Sequence, residues 1–258
     1  MLSRLLTTLA AGLILTPLYV RYQQQQDDLD AKYDISLRSP ATLIEKFGKN
    51  SFEGISTRIA AKAFQDMGWD GPVYFSLMGH ELGEHAFVAK DHNGIKSAFV
   101  YIPQGGNIEV HYAIMGHEAV HCLNDHQKSA YLLRGATYSA SLTLAVLAFE
   151  YIKHPVPALL IAAASLTLFS SLPNALQARH FEKQADCVSS EKLGNAHVHK
   201  FHLSKGADKK FSFFQRHPPS EERVRYLSDI ATKEIPYPFV ESEEYKDIIS
   251  VTLARRSQ

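Results

Sequence analysis

The tetrapeptide Met-Gly-His-Glu occurs twice in the chain, in LMGHELGEH and in IMGHEAVHCLND, each time with a second histidine a few residues on. An α-helix turns about 100° per residue, so side chains four apart lie about 40° apart on one face, while side chains five apart diverge by about 140°. His80 and His85 are five apart with Gly83 between them, so a regular helix would aim their rings in different directions, and the pair reads as a decoy. His117 and His121 are four apart with Glu118 beside the first. This is the HExxH arrangement, which puts two imidazoles on one metal ion and a carboxylate over its bound water. With thirteen His and fifteen Glu in 258 residues, chance supplies about 0.04 copies of three such fixed positions. The spacing therefore carries information, and the expected chemistry is hydrolysis by activated water at a single zinc ion.

Two histidines do not hold a catalytic zinc firmly; a third protein ligand is needed, with a further position left open. The stretch ALQARHFEKQADCVSSEKL has few helix breakers and offers Glu182 with Asp186 four residues on, so both carboxylates fall on one helix face. Glu182 is the expected ligand, and Asp186 the expected acceptor that orients a ligand imidazole. A solvated acidic flank would show the same spacing. Asp125, one turn past His121, is a further acceptor candidate, and a solvated helix-terminal carboxylate explains it equally well. His197, His199 and His202 in HVHKFH offer a second metal cluster, but an irregular solvated segment is the expectation there.

Four elements in order, GHEAVH, an apolar hairpin, FEKQAD as an ExxxD signature, and RHPPSEERVRYL as a His-Pro segment followed by an Arg, resemble the membrane zinc endopeptidases typified by HtpX and the CAAX prenyl-protein endopeptidase. The resemblance covers roughly residues 85 to 230. It implies zinc ligands at His117, His121 and Glu182, a catalytic base at Glu118 and a supporting carboxylate at Asp186. It also implies that His217 and Arg223 approach the site, His217 as the donor to the developing oxyanion and Arg223 either assisting it or holding Asp186. Protein or peptide substrates, a zincin-like fold and a membrane location, in bacteria the inner membrane, follow from the same likeness, as does work in protein quality control or processing. Where the family usually shows Asn-Ala-Phe before an edge strand, this chain has His85-Ala86-Phe87.

The elements that must carry these residues are visible in the distribution of apolar residues. Residues 5 to 20 (LLTTLAAGLILTPLYV) are apolar and flanked by Arg4 and Arg21; with no small-x-small cleavage pattern they read as an uncleaved anchor over 1–21 rather than a signal segment. Residues 22–34 read as a polar linker, and 35–258 as the metallopeptidase domain. Within it, TYSASLTLAVLAFEYI and VPALLIAAASLTLFSSL, separated by KHP, predict an apolar helical hairpin over 137–172 inserted between the two metal-binding helices. ATLIEKFG and STRIAAKAFQDMG predict amphipathic helices, and the apolar runs around Asn93-Gly94 predict two strands. The expected fold is mainly α with a small β-sheet, and an extended substrate is expected to pair with the strand around Phe99 to Ile102.

Lys plus Arg equals Asp plus Glu at 27 each, and no basic stripe with interleaved aromatics is present, so nucleic acid is not an expected partner; the lipid bilayer is. Two cysteines, Cys122 and Cys187, are too few for a disulfide framework and read as buried thiols. The strongest competing function is a non-catalytic, zinc-stabilised membrane adaptor that binds protein segments.

Overall fold

The computed structural model describes residues 2–33, 37–78, 85–91, 93–103, 107–205, 218–233 and 235–256. Among the described residues thirteen elements follow: α1 (Leu2–Tyr33), α2 (Pro40–Phe47), α3 (Phe52–Asp66), β1 (Val73–Met78), β2 (His85–Lys90), β3 (Lys96–Pro103), α4 (Ile108–Leu123), α5 (His126–Tyr151), α6 (Pro155–Leu193), α7 (Ala196–Lys205), α8 (Ser220–Ala231), α9 (Pro238–Glu241) and α10 (Glu243–Arg256). The protein is mainly helical with one small sheet. Its residues fall into two compact units, the first made of 1–27, 125–182 and 210–218, the second of 28–124, 183–209 and 219–258.

The first unit is helical. Gly135 lets α1 approach α5 closely, because a Cβ there would sit 3.0 Å from Thr16 Cγ2 and 3.3 Å from its backbone. The contact continues through a Thr16–Ser139 hydroxyl pair at 3.2 Å and an edge-to-face Tyr19–Tyr138 pair with centroids 6.0 Å apart. Helix α5 meets α6 through small residues: Ser141, Ala145, Ala148, Ala158, Ala162 and Ser165 are buried, and the Ser141 hydroxyl donates to the Ser165 carbonyl at 3.3 Å. Large apolar side chains point the other way, with Leu142, Phe149, Leu159 and Leu160 each at least half exposed. The two apolar stretches expected as a hairpin lie in α5 and in the first half of α6. The second arm is not a separate insertion, however: α6 runs on through Pro173 into the ExxxD segment as one helix of 39 residues. A proline removes a single intrahelical hydrogen bond, and here the helix continues across it. The polar residues 22–32 expected as a linker belong to α1 and are helical.

The second unit holds the main core and the sheet. Helix α2 starts on Ser39, whose hydroxyl accepts from the Thr42 amide, and α3 on Ser51, whose hydroxyl accepts from the Gly54 amide; both caps satisfy amides that a helix start leaves unpaired. Ile59, Ala60, Ala63 and Phe64 of α3 pack with Tyr112, Met115, Ala119 and Val120 of α4, and Phe75, Val100 and Ile102 bring the sheet onto the same core. The strand order is β1-β3-β2, with β1 parallel and β2 antiparallel to β3. Alternation along the strands puts Tyr74, Phe87 and Phe99 on the opposite face, where they stack at 5.2–5.3 Å. The β2–β3 turn is closed by Asp91, whose carboxylate accepts from the Asn93 and Ile95 amides, with Gly94 at φ +76°. The sequence predicts β2 and β3 but not β1. The order also overturns one expectation: β3 is the central strand, paired on both sides, so Phe99 to Ile102 offer no free edge to a substrate.

Candidate metal centre

Helix α4 begins at Asn107, whose side chain accepts from the Glu109 and Val110 amides, and it carries His117, Glu118 and His121. Where it meets the second half of α6, Gly116 lies against Leu193, whose Cδ1 would be 2.3 Å from a Cβ there and would have to turn away. His117 is buried, and its Nδ1–H points at Asp186 Oδ1 at 2.8 Å. With that proton on Nδ1, Nε2 carries the in-plane lone pair of the ring, and it faces His121 Nε2 at 3.1 Å. Two imidazole nitrogens about 2.05 Å from one tetrahedral zinc would be separated by about 3.3 Å, so the observed pair has the spacing of two ligands of one ion. Glu182, one helical turn before Asp186 on α6, closes the group: its carboxylate and a ring nitrogen of each histidine lie within 4.8 Å of one another. The set of two nitrogen donors and a carboxylate fits zinc. Glu118 is half-buried on the same helix, beside His117 but outside the converging group.

Asp186 is fully buried and ties four elements together. Besides His117 it accepts two parallel bonds from Arg223 of α8, Nε to Oδ2 and Nη2 to Oδ1, both at 2.7 Å, and a short bond from the Tyr226 hydroxyl. His199 Nε2 of α7 lies 3.4 Å from Oδ1. Burial opposes the charge on Asp186, but the bonds from His117 and Arg223 outweigh it and hold the carboxyl well below the usual range. Burial has the opposite result at His199, whose pKa falls to about 3, so that ring is neutral. The Tyr226 hydroxyl is pushed up by burial and by the Asp186 charge. Ligand atoms of His117, Asp186 and His199 also lie within 4.8 Å of one another. That group is a poor cation site, because Asp186 already receives His117, both arms of Arg223 and Tyr226, and the guanidinium charge adjoins it.

The structure thus brings together His117, His121 and Glu182, and links His117, Asp186 and Arg223. His217 lies outside the described residues, as does His80; His85 starts β2, so the first MGHE copy does not continue as a helix through His85. The segment HVHKFH is helical within α7 rather than irregular; His197 and His202 are exposed as expected, but His199 is 3% exposed. Its alternation of His, apolar and His concealed a residue that packs against the centre. Tyr226 was also missed, although it stands three residues after Arg223, the spacing at which two side chains of one helix meet a common partner. Cys122 is buried and Cys187 half-buried, and neither is in a disulfide.

Residues 106–231 match the family model of peptidase family M48. This segment is an M48 peptidase domain. It spans α4 to α8 and so contains every candidate residue, including the HExxH and ExxxD helices. The match supports a metallopeptidase, a hydrolase of protein or peptide substrates, and M48 peptidases are generally zinc-dependent. No curated protein and no solved structure matches the chain.

Proposed function

We propose that the chain is a membrane-associated zinc endopeptidase with His117, His121 and Glu182 as the metal ligands and Glu118 as the general base. The observation that carries this reading is the convergence of the three donors within 4.8 Å, inside the segment that matches the M48 model. Zinc, when bound, lowers the pKa of water toward 7 and polarises the scissile carbonyl. Glu118 takes a proton from the attacking water and returns it to the departing amine nitrogen, so the base is regenerated in each turnover. Asp186 fixes the Nδ1–H tautomer of His117 and keeps the other nitrogen available for the metal. Arg223 spends both arms of its fork on Asp186, which assigns it to holding that carboxylate, and His217 is left as the donor to the developing oxyanion.

An extended substrate would pair with β2 rather than β3. Residues His85–Lys90 form an edge strand packed beside α4, and main-chain pairing there leaves side-chain specificity to alternate positions. The first unit supports membrane association: α5 is, by length and composition, apolar enough to cross a bilayer. Its partner helix meets it through small residues while large apolar groups face outward, the pattern of helices packed in lipid. The role inferred from this combination is protein quality control or processing at a membrane.

The test is to purify the full chain in detergent, measure bound zinc, and compare casein cleavage by wild type and Glu118→Gln. Retained zinc with lost cleavage supports the mechanism. Equal cleavage removes Glu118 from it, and absence of cleavage in both favours the non-catalytic adaptor.

A further inference from the structure

The first unit contains a partly open pocket of about 360 Å³ of mixed lining, with Arg134, Tyr19, Tyr138, Ser171, Asn174 and Gln177 beside three alanines and Phe181, a size within the roughly 300–1,000 Å³ of small-molecule sites. No carboxylate lines it, and Arg134 has no ion-pair partner among the described residues. A guanidinium stays charged at any physiological pH. A half-buried cation with no carboxylate beside it, next to tyrosine and serine hydroxyls, suits an anion, and the planar fork suits phosphate oxygens.

A second cavity of about 400 Å³, lined by Leu15, Leu18, Tyr22 and Leu142, shares the Tyr19–Tyr138 pair with the first. Its leucines are 45–55% exposed, so this groove is apolar and open. A cationic pocket of mixed lining and an open apolar groove meeting at one pair of tyrosines match a molecule with an anionic head and a hydrocarbon tail. The level in the helices agrees. Apolar sequence gives way to polar at Arg21 in α1, after Gly135 in the reverse direction in α5, and near Pro173 in α6. Tyr19, Arg134 and Tyr138 therefore stand at the transition, where tyrosines and headgroups concentrate.

We infer that this pocket binds the phosphate group of an anionic phospholipid, held by Arg134, with an acyl chain lying in the groove beyond Tyr19 and Tyr138. The inference rests on the membrane reading of the first unit. A free phosphate ion shares the head chemistry but leaves the groove without a purpose.

The full chain in detergent, titrated with phosphatidylglycerol or with the diacylglycerol of the same acyl chains, which lacks the phosphate, and followed by native mass spectrometry, tests it. Wild type retains phosphatidylglycerol with at least about a tenfold preference, the scale of one charge-assisted pair. Arg134→Gln loses the preference, Arg134→Lys keeps part of it, and Arg21→Gln, at the same level but outside the pocket, leaves it unchanged. Arg134→Gln orphans no ion-pair partner, so its melting in phosphatidylcholine nanodiscs is expected to equal that of wild type; if it melts early, the Lys variant decides. Equal preference in wild type and Arg134→Gln, or none in wild type, overturns the inference. Millimolar inorganic phosphate that stabilises the chain through Arg134 without any lipid preference assigns the pocket to a free anion and overturns the lipid. Flotation with phosphatidylcholine vesicles separates the two readings: failure of wild type to float defeats the membrane reading and this one with it, whereas flotation without lipid preference defeats this one alone.

Discussion

Asp186→Asn is the perturbation for which the structure gives the clearest magnitude. Each Asp186 oxygen faces donors only: Oδ1 meets His117 Nδ1–H and Arg223 Nη2, while Oδ2 meets Arg223 Nε and the Tyr226 hydroxyl. Whichever way the asparagine amide turns, its NH₂ confronts two donors, and the Arg223 charge loses its counter-ion in a site where Asp186 is 0% exposed. Removing one partner of a buried pair costs about 3–5 kcal/mol. Loss of the group that orients a ligand histidine weakens metal binding about 10- to 100-fold. The two effects separate in the double variant Asp186→Asn/Arg223→Met, which removes the orphaned charge. It is expected to recover part of the melting temperature but none of the zinc affinity, because His117 still lacks its acceptor. Zinc affinity from competition with a chromogenic chelator, measured beside thermal melts of the single and double variants, reads both. Wild-type zinc affinity in Asp186→Asn would refute the claim that this carboxylate fixes His117.

Three other outcomes follow from particular residues. His111 is buried on α4, with burial lowering its pKa to about 4; its neutral form is favoured in the fold, so its contribution is complete above about pH 6.5 and is lost as pH falls toward 4. The loss is about 3 kcal/mol at 1.36 kcal/mol per unit, and His111→Leu should flatten the melting profile of the chelator-treated chain across that window relative to wild type. Gly194 has φ +67°, and a Cβ there would lie 1.9 Å from the Pro236 carbonyl oxygen, so Gly194→Ala is expected to lower stability by at least about 1–3 kcal/mol, seen as a depressed melting temperature. Chelation should lower the melting temperature of wild type by the equivalent of about 4 kcal/mol if zinc is supplied at a thousandfold excess over its Kd, and leave Glu182→Ala nearly unaffected.

The HExxH and ExxxD helices were legible because ligand chemistry forces a fixed angular spacing, and four-residue spacing on α4 and α6 is visible in the letters alone. The β2–β3 turn was legible for a similar local reason, through Asn93-Gly94. What the letters did not carry was partnership at long range. The pairing of β1 on β3, which makes β3 central and β2 an edge, depends on contacts between Tyr74 and Phe99 that no local pattern records. The burial of His199 depends on α7 packing where Asp186 is, and a run of alternating histidines looks the same whether solvated or enclosed. The second apolar arm was read as ending at residue 172, yet α6 continues through Pro173 and joins that arm to the segment that carries Glu182.

The central claim is that His117, His121 and Glu182 hold one zinc ion. X-ray absorption at the zinc edge of the full chain, reconstituted with one equivalent, reads the donors directly. Two imidazoles plus oxygen donors at about 2.0–2.2 Å, with one oxygen contribution lost and zinc content reduced in Glu182→Ala, are the expected result. A sulfur scatterer at about 2.3 Å, placing Cys122 or Cys187 on the metal, or a single imidazole, would contradict it.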